Sequence, residues 1–190
     1  TKNLVEDYLC DDGLPISLSP EYQGDASIES VFLNRDPRLR QTILYPGDYN
    51  FYLADGRSYP RVTGMSGGSI STTGYHMIKY YNPDDFNGFT SIAPAIILRF
   101  AEALLIYAEA QAELGAITQN DLDLSINKLR DRVGMPHLSM TPPMDPRYQD
   151  DGISALLAEI RRERRIELVA EGFRYDDLRR WKQGKKLEKV

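Results

Sequence analysis

The chain has 190 residues, a formal net charge of −5, one cysteine and two histidines. This length suits one ordinary domain. A single cysteine excludes an internal disulfide, and so few Cys and His residues exclude a clustered zinc site. The longest apolar run, residues 93–98, is far short of the ~20 residues that span a membrane.

Charge is distributed unevenly along the chain. Residues 1–152 hold 12 Lys and Arg against 21 Asp and Glu, whereas residues 153–190 hold 11 against 7. The acidic part would repel a phosphate backbone, and the cations of the basic part alternate with carboxylates. The charge pattern therefore argues against nucleic-acid binding.

Turn-forming residues dominate residues 1–94. Gly, Pro, Asn and Asp are dense in DDGLPI (11–16), RDPRL (35–39), YPGDY (45–49), ADGRSYP (54–60) and GMSGGS (64–69). Such density marks loops and short strands. We therefore expect a loop-rich, irregular region that contains short β-hairpins, with one strand in TGYHMIKYYNP (73–83).

Helical periodicity begins near residue 95. Apolar residues that recur on one face predict a helix over 95–114, which ends where Gly115 supplies a C-cap. The same kind of pattern predicts a further helix over 152–172. The C-terminal half is therefore expected to be a helical scaffold.

A helix over 121–133 is predicted between these two. Asn120 or Asp121 is its expected N-cap, and Gly134 its expected end. Together with the helix over 95–114 it has the size and composition of a tetratricopeptide-type helical hairpin. Because one hairpin cannot bury its own apolar face, we expect neighbouring hairpins in sequence beyond this chain.

Two short motifs match functional sites only superficially. GMSGG (64–68) fits the nucleophile elbow G-x-S-x-G, but a β-like stretch follows Ser66 in place of the helix that such an elbow needs. DLDLSINKLRDR (121–132) lacks the central glycine and the final glutamate of a calcium loop. The sequence therefore predicts no catalytic residue, no metal site and no cofactor.

Aromatic residues are concentrated in the loop-rich region, with ten of the nineteen between Tyr45 and Phe89. A tyrosine ring has an apolar face and a polar tip, which suits sugars, because their C–H faces stack on rings while their hydroxyls bind polar groups. The alternative is that the rings anchor irregular backbone. The candidate ligand-binding residues are Tyr49, Tyr52, Tyr59, Tyr75, Tyr80, Tyr81, Arg57 and Lys79, with Asp48, Asn50 and Asp55 as further polar partners.

Arginines and carboxylates crowd the segment ERRIELVAEGFRYDDLRRW, residues 163–181. Its apolar residues fall on two sides of a helix, which predicts burial from two directions, and buried charges must be paired. We expect Arg164 to pair with Glu167, and Glu171 to pair with an arginine beyond the turn at Gly172. The expected members of this structural charge network are Arg164, Glu167, Glu171, Arg174, Arg179 and Arg180. A glycosidase pair of carboxylates is the alternative, although guanidinium groups would hold both ionised.

Several blocks of the chain match, in order, the patterns of a known family. These are YLCDDGLPIS (8–17), NRDPRLRQTI (34–43), TGYHMIKYYNP (73–83), ILRFAEALLIYAEAQAELG (97–115), INKLRDRVGMP (126–136) and IRRERRIELVAEGFRYDDLRRW (160–181). They resemble the SusD/RagB proteins, the surface glycan-binding lipoproteins of Bacteroidetes. The resemblance identifies residues 1–190 as the central to C-terminal part of one SusD-like domain, with a loop-rich part (1–94) and a helical scaffold (95–190).

The resemblance implies a mainly α fold, in which tetratricopeptide-like hairpins carry an irregular ligand-binding region. It also implies a non-enzymatic protein, lipid-anchored at the outer membrane and exposed on the cell surface, that delivers oligosaccharides to a SusC-like TonB-dependent transporter. No site residue comes with the resemblance, because ligand sites differ between members. A helical protein-interaction module without glycan binding is the main alternative, and a glycoside hydrolase is a more distant one.

Overall fold

We describe the fold from a computed structural model, over residues 1–45, 73, 75–80, 86–87, 90–91 and 96–187. This part of the chain is mainly helical, as predicted. In chain order the helices are α1 (Lys2–Asp7), α2 (Ile28–Val31), α3 (Arg38–Thr42), α4 (Phe100–Glu113), α5 (Gln119–Leu124), α6 (Ile126–Val133), α7 (Ala155–Glu167) and α8 (Arg174–Arg180), with short 3₁₀ helices at Gln149–Asp151 and Gly184–Leu187. Two strands of two residues each, β1 (Phe86–Asn87) and β2 (Thr90–Ser91), pair antiparallel.

A buried arginine organises the irregular N-terminal part. The guanidinium of Arg35 donates hydrogen bonds to the backbone carbonyls of Val5 at 2.7 Å, Tyr8 at 2.8 Å and Val31 at 3.0 Å. A buried backbone carbonyl without a hydrogen-bond donor is costly, and the guanidinium serves three of them. Arg35 therefore joins the end of α1 to α2 where regular secondary structure is lacking.

Helix α4 is shorter than the predicted 95–114. It begins at Phe100 because Arg99 has an extended backbone (φ −142°, ψ 152°) and forms its N-cap position. Its C-terminal end agrees with the prediction, since Gly115 follows it with a φ of 66°. No described helix, α4 included, is long and apolar enough to cross a membrane.

The single helix predicted over 121–133 is wrong, because the chain forms α5 and α6 with a break at Ser125 (φ −128°, ψ −89°). The expected N-caps are also wrong. Thr118 caps α5 and accepts a hydrogen bond from the backbone N–H of Asp121, while the Asp121 side chain accepts from the N–H of Thr118, so the two close a capping box. The end at Gly134, with a φ of 73°, is confirmed.

Helix α7 lies between two hydrophobic clusters. One cluster is formed by α4, α5, α6 and α7, and includes Ile160. The other is formed by α1, α2 and α3, and includes Ile166 from the last turns of α7, with Val169 packed against it. The predicted burial of this segment from two directions is confirmed, although α7 itself covers only Ala155–Glu167 of the predicted 152–172.

We expect Leu105→Ala to lower the free energy of unfolding by about 3 kcal/mol, because truncating a buried leucine leaves a cavity that the neighbours refill only in part. Leu105 is fully buried in the cluster of α4–α7. Leu114→Ala, directly after the same helix, is the matched control because Leu114 is 79% exposed. Urea denaturation compares the two variants, and equal losses would contradict the placement of α4 in the core.

Candidate functional site

Four glutamates spaced four residues apart, Glu159, Glu163, Glu167 and Glu171, form a row that we call the carboxylate row. The first three lie on one face of α7, because residues four apart in a helix are neighbours. The fourth follows the end of the helix. Glu159, Glu163 and Glu167 are buried, so each of these charges needs a partner inside the protein.

The first half of the row is paired with arginines from three elements. Glu163 accepts hydrogen bonds from Arg38 of α3 and, at 3.1 Å, from Nε of Arg130 of α6. Burial acts to raise the pKa of Glu163, but these two arginines outweigh it and lower the pKa. Glu159 accepts at 3.1 Å from Arg162 of α7 itself, and there burial prevails and raises the pKa of the carboxyl.

Glu167 receives hydrogen bonds from three arginines, none of them the predicted Arg164. Arg38 donates at 3.1 Å, Arg99 at 2.5 Å and Arg132 at 2.7 Å. The predicted pair of Arg164 with Glu167 is therefore wrong. Arg164 turns to α8, where its Nε lies 2.9 Å from a carboxylate oxygen of Asp177.

Glu171 is paired with Lys79 at 2.6 Å and with Arg99 at 2.7 Å. The partners expected from beyond the turn at Gly172 are wrong. Arg180 binds Glu109 and Asp177, Arg179 lies on the surface 3.9 Å from Asp176, and Arg174 has no carboxylate partner among the described residues. The true partners precede Glu171 by 92 and 72 positions in sequence.

The pairing decides the charge of Glu171. Burial alone would raise the pKa of its carboxyl, but hydrogen bonds from Arg99, Lys79 and the hydroxyl of Tyr80 outweigh it and hold the pKa at about 2. A carboxyl with so low a pKa has no proton to donate at neutral pH, so it does not suit the role of a general acid. The geometry supports a structural role for Glu171.

The outer end of the row opens into a cleft of about 300 Å³, which we call the Tyr80 cleft. An isolated β-bridge between Ile43 and Met77 places the segment of Tyr80 beside the end of α3. The cleft is lined by Arg38, Gln41, Thr42, Lys79, Tyr80, Ile96, Arg99, Arg132, Ile166 and Glu167. Paired charges of the carboxylate row thus form one side of the Tyr80 cleft, and its rim carries both polar and apolar side chains.

Tyr80 presents an exposed ring at this rim. The residue is 50% exposed, and its backbone has a φ of 67°, a left-handed conformation that is uncommon for a bulky side chain. Its neighbour Lys79 donates to the backbone carbonyls of Glu167 at 2.8 Å and Val169 at 2.9 Å. These bonds, together with the one from Tyr80 to Glu171, hold the strained segment in place.

Two further polar residues of the cleft were not among the sequence-based candidates. Arg132 uses one nitrogen, Nη2, on Glu167, and its Nε and Nη1 make no hydrogen bond within the described part of the chain; its side chain is 54% exposed. Gln41 is exposed and its amide likewise has no partner among the residues described. No local sequence signal marks either residue, because only the fold brings α3 and α6 together here.

The predicted ligand residues are only partly covered by the described structure. Tyr80 and Lys79 line the cleft. Tyr75 is half-buried and packs against the cluster of α1–α3, while Lys79 already uses its three donors on Glu167, Val169 and Glu171. The candidates that lie outside the described residues are Tyr49, Tyr52, Tyr59, Tyr81, Arg57, Asp48, Asn50 and Asp55. Within the described residues, no three Asp, Glu, His or Cys side chains group as metal ligands would.

Comparison with known proteins identifies the family. The SusD family model matches residues 1–189. The chain is 31% identical over 136 residues to the SusD-like protein P2 of Formosa agariphila, a match that covers 70% of this chain and 26% of that protein.

Two solved structures from Bacteroides fragilis are similar in sequence and fold. A SusD-like carbohydrate binding protein shares 32% identity with a TM-score of 0.67, covering 95% of this chain and 34% of its own. A second SusD-like protein shares 33% identity with a TM-score of 0.68, covering 97% and 36%. The chain therefore belongs to the SusD family, and its matches span only 26–36% of these relatives' lengths.

We expect Glu171→Gln to lower the free energy of unfolding by about 2–3 kcal/mol at pH 7, because it removes the charge that Arg99 and Lys79 share. The lowered pKa means that the folded state holds fewer protons than the unfolded state in the acid range. The stabilisation by Glu171 is therefore complete at neutral pH and is lost as the pH falls from ~5 toward 2.

Denaturation curves between pH 7 and pH 2 measure this effect as the difference between the native chain and Glu171→Gln. Glu29→Gln is the matched control, since Glu29 is exposed on α2. A difference that stays constant over this range would show that the charge of Glu171 contributes nothing.

Proposed function

We propose that this SusD-family chain forms part of an oligosaccharide-binding surface, and that the Tyr80 cleft belongs to it. The observation that carries the proposal is the half-exposed ring of Tyr80, held in a left-handed backbone conformation. Beside it lie donors of Gln41 and Arg132 that have no partner among the described residues. Unfavourable backbone geometry is retained where the surrounding structure enforces it, and it is concentrated at ligand-binding positions. The similar carbohydrate binding protein from Bacteroides fragilis also supports this proposal.

The chemistry of the cleft suits a sugar ring. The face of Tyr80 and the side chain of Ile96, which is 54% exposed, offer apolar surface to C–H groups. Gln41 offers an amide, and Arg132 offers its free Nε and Nη1 donors, to hydroxyl groups. A volume of about 300 Å³ lies at the lower end of the range for small-ligand pockets, so the cleft suits one monosaccharide unit of a longer oligosaccharide.

The remaining aromatic candidates extend this proposal along the sequence. We assign Tyr49, Tyr52, Tyr59, Tyr81 and Arg57 to the same surface, because they fall in the loop-rich part, 1–94, that also supplies Tyr80. Tyr75 packs against the cluster of α1–α3 and is better explained as an anchor of the backbone. In this proposal residues 95–190 are the scaffold, with tetratricopeptide-like packing of the helices and short β-hairpins confined to the loop-rich part. Lys79 supports this surface mainly through its hydrogen bonds to Glu167 at the C-terminal end of α7 and to Glu171 beyond it.

For the whole protein we propose capture without cleavage. The resemblance implies a lipid-anchored protein on the outer membrane that delivers oligosaccharides to a SusC-like TonB-dependent transporter. Within the chain, the low pKa of Glu171 and the arginines around Glu167 favour a structural use of these carboxylates over acid–base chemistry. Release of shorter products from a bound oligosaccharide would contradict this part of the proposal.

A protein-interaction module is the second candidate, and one feature of α4 favours it. Phe100 and Ile106 of α4 and Leu114 directly after it are 73%, 53% and 79% exposed, and steps of 100° per residue place them within an arc of about 120°. An exposed apolar helix face often marks a contact with another protein segment. The two functions are compatible, because this face and the Tyr80 cleft have no residue in common.

We expect Tyr80→Ala to weaken binding of the best ligand from an oligosaccharide panel by about tenfold, because losing one stacked ring costs ~1.4 kcal/mol. Arg132→Ala is expected to weaken it by a similar factor. Tyr107→Ala is the matched control, since Tyr107 is a partly exposed tyrosine of α4 that bonds to Asp121. Calorimetric titration measures all three, and wild-type affinity in both cleft variants would exclude the cleft as the site.

We expect Tyr80→Gly to be more stable than Tyr80→Ala by about 1 kcal/mol, the reverse of the usual order, because only glycine adopts a positive φ without penalty. Both variants lose the ring and the hydroxyl, so their difference isolates the backbone. Met77→Gly and Met77→Ala, at an exposed residue three positions earlier, supply the control with the usual order. Thermal unfolding measures the four variants. If the alanine variant is the more stable one at both positions, the backbone of Tyr80 is not strained.

A further inference from the structure

A second cleft, of about 290 Å³, lies where α7 ends and α8 begins, and we call it the α7–α8 cleft. Arg164, Arg165 and Arg174 line it together with Asp177, and the rings of Phe173 and Tyr175 line it as well. It shares no lining residue with the Tyr80 cleft. Its chemistry is therefore separate from the site described above.

Arg174 is the first unusual feature of this cleft. The residue is half-buried, and its guanidinium has no carboxylate within 4.0 Å in the described part of the chain. The centre of the Trp181 ring lies 5.8 Å from the guanidinium carbon. Burial, and after it the neighbouring charge of Arg165, lower the pKa of Arg174 to about 10. A cation in this position has lost part of its water and has gained no anion in return.

Arg164 is the second unusual feature. Its side chain is buried, and its Nε donates to both carboxylate oxygens of Asp177 at 2.9–3.0 Å. Its Nη1 is also buried, yet it donates to no atom of the described chain. Buried donors are almost always satisfied, and Arg164, which lines the cleft, keeps one without a hydrogen-bond partner in the described chain.

The charges of the cleft do not balance. Arg165 is paired with Asp7, and Asp177 is shared between Arg164 and Arg180. Among the described residues, the positive charge of Arg174 is left without a carboxylate partner. Planar guanidinium groups bind carboxylate and sulfate through paired hydrogen bonds, so the missing partner is an anion with two or more oxygens.

Aromatic surface accompanies the cationic groups. Tyr175 is 59% exposed at the cleft, and the guanidinium of Arg164 lies 5.3 Å from the ring centre of Phe173. An inorganic anion would need no such surface, whereas a sugar ring that carries an acidic group would use both the arginines and the tyrosine. We propose that the α7–α8 cleft binds the carboxylate or sulfate group of an acidic sugar, with Arg174 as its donor, Arg164 as a neighbouring cation and Tyr175 as its stacking surface.

This inference rests on the proposed function for its ligand class, because it adds an acidic subsite to an oligosaccharide-binding surface. It is tested with the native chain and three small probes, which are sodium glucuronate, glucose and sodium sulfate. Trp181, the only tryptophan of the chain, lies close to Arg174 and reports binding through its fluorescence. The expected result is a saturable response to glucuronate, a response at least tenfold weaker to glucose, and competition by sulfate at higher concentration.

Variants assign the response to the cleft. Arg174→Gln is expected to weaken glucuronate binding at least tenfold while the protein unfolds at the same temperature or a higher one, because Arg174 has no ion pair to lose among the described residues. Lys185→Gln, at an exposed cation of the 3₁₀ helix Gly184–Leu187 that lines neither cleft, is expected to bind as the native chain does. Tyr175→Ala is expected to weaken glucuronate binding and to leave sulfate binding unchanged.

Three results would overturn the inference. These are equal responses to glucuronate and glucose, native binding by Arg174→Gln, and binding of sulfate without glucuronate, which would indicate an inorganic anion site. Tyr80→Ala separates this test from that of the proposed function, because it is expected to weaken binding of the panel oligosaccharide and to leave the glucuronate response intact. A negative result for one cleft therefore does not affect the interpretation of the result for the other.

Discussion

The carboxylate row of α7 is the constraint on which the rest of the structure depends. Removing a carboxylate from water costs several kcal/mol unless a cation and hydrogen bonds replace the water, and three successive members of the row are buried. The helix does not supply enough partners by itself. Arg38 of α3, Arg130 and Arg132 of α6, and Arg99 before α4 supply them. Elements distant in sequence must therefore assemble around α7 in one arrangement, since any other would leave a buried charge unpaired.

The same pairing links stability to the candidate binding surface. Lys79 donates to two backbone carbonyls at the C-terminal end of α7 and to Glu171, which suits the negative end of a helix dipole. Because Lys79 is fixed, the next residue, Tyr80, is held with its ring exposed and its backbone in a left-handed conformation. The free energy that maintains this conformation of Tyr80 comes from the hydrogen bonds and the ion pair of Lys79. In this structure the loop presents the ring, and the helix keeps it in position.

Sequence patterns predicted the helices better than the side-chain contacts between them. Helical periodicity found α4 and α7, and glycine found the ends of α4 and α6, because these signals are local. The break at Ser125 was missed because the apolar pattern continues across it. Pairing was missed because the prediction searched three to nine residues away, whereas Arg38 lies 129 residues from Glu167. For the same reason Tyr80 could be proposed from its residue type and neighbourhood, while Gln41 and Arg132 become candidates only when the fold places them beside it.

The two clefts show that one residue type has opposite consequences in two settings. Around Glu167 and Glu171 the arginines are matched by carboxylates, so the charges stabilise the fold and the cleft offers mainly the leftover donors of Arg132. Beside α8 the arginines outnumber the available carboxylates, so that Arg174 and Nη1 of Arg164 have no partner within the described chain. A structural network reaches its lowest free energy when every charge is paired. The unpaired charge of Arg174, in a cleft lined by aromatic rings, is therefore better explained by an external anion than by the requirements of folding.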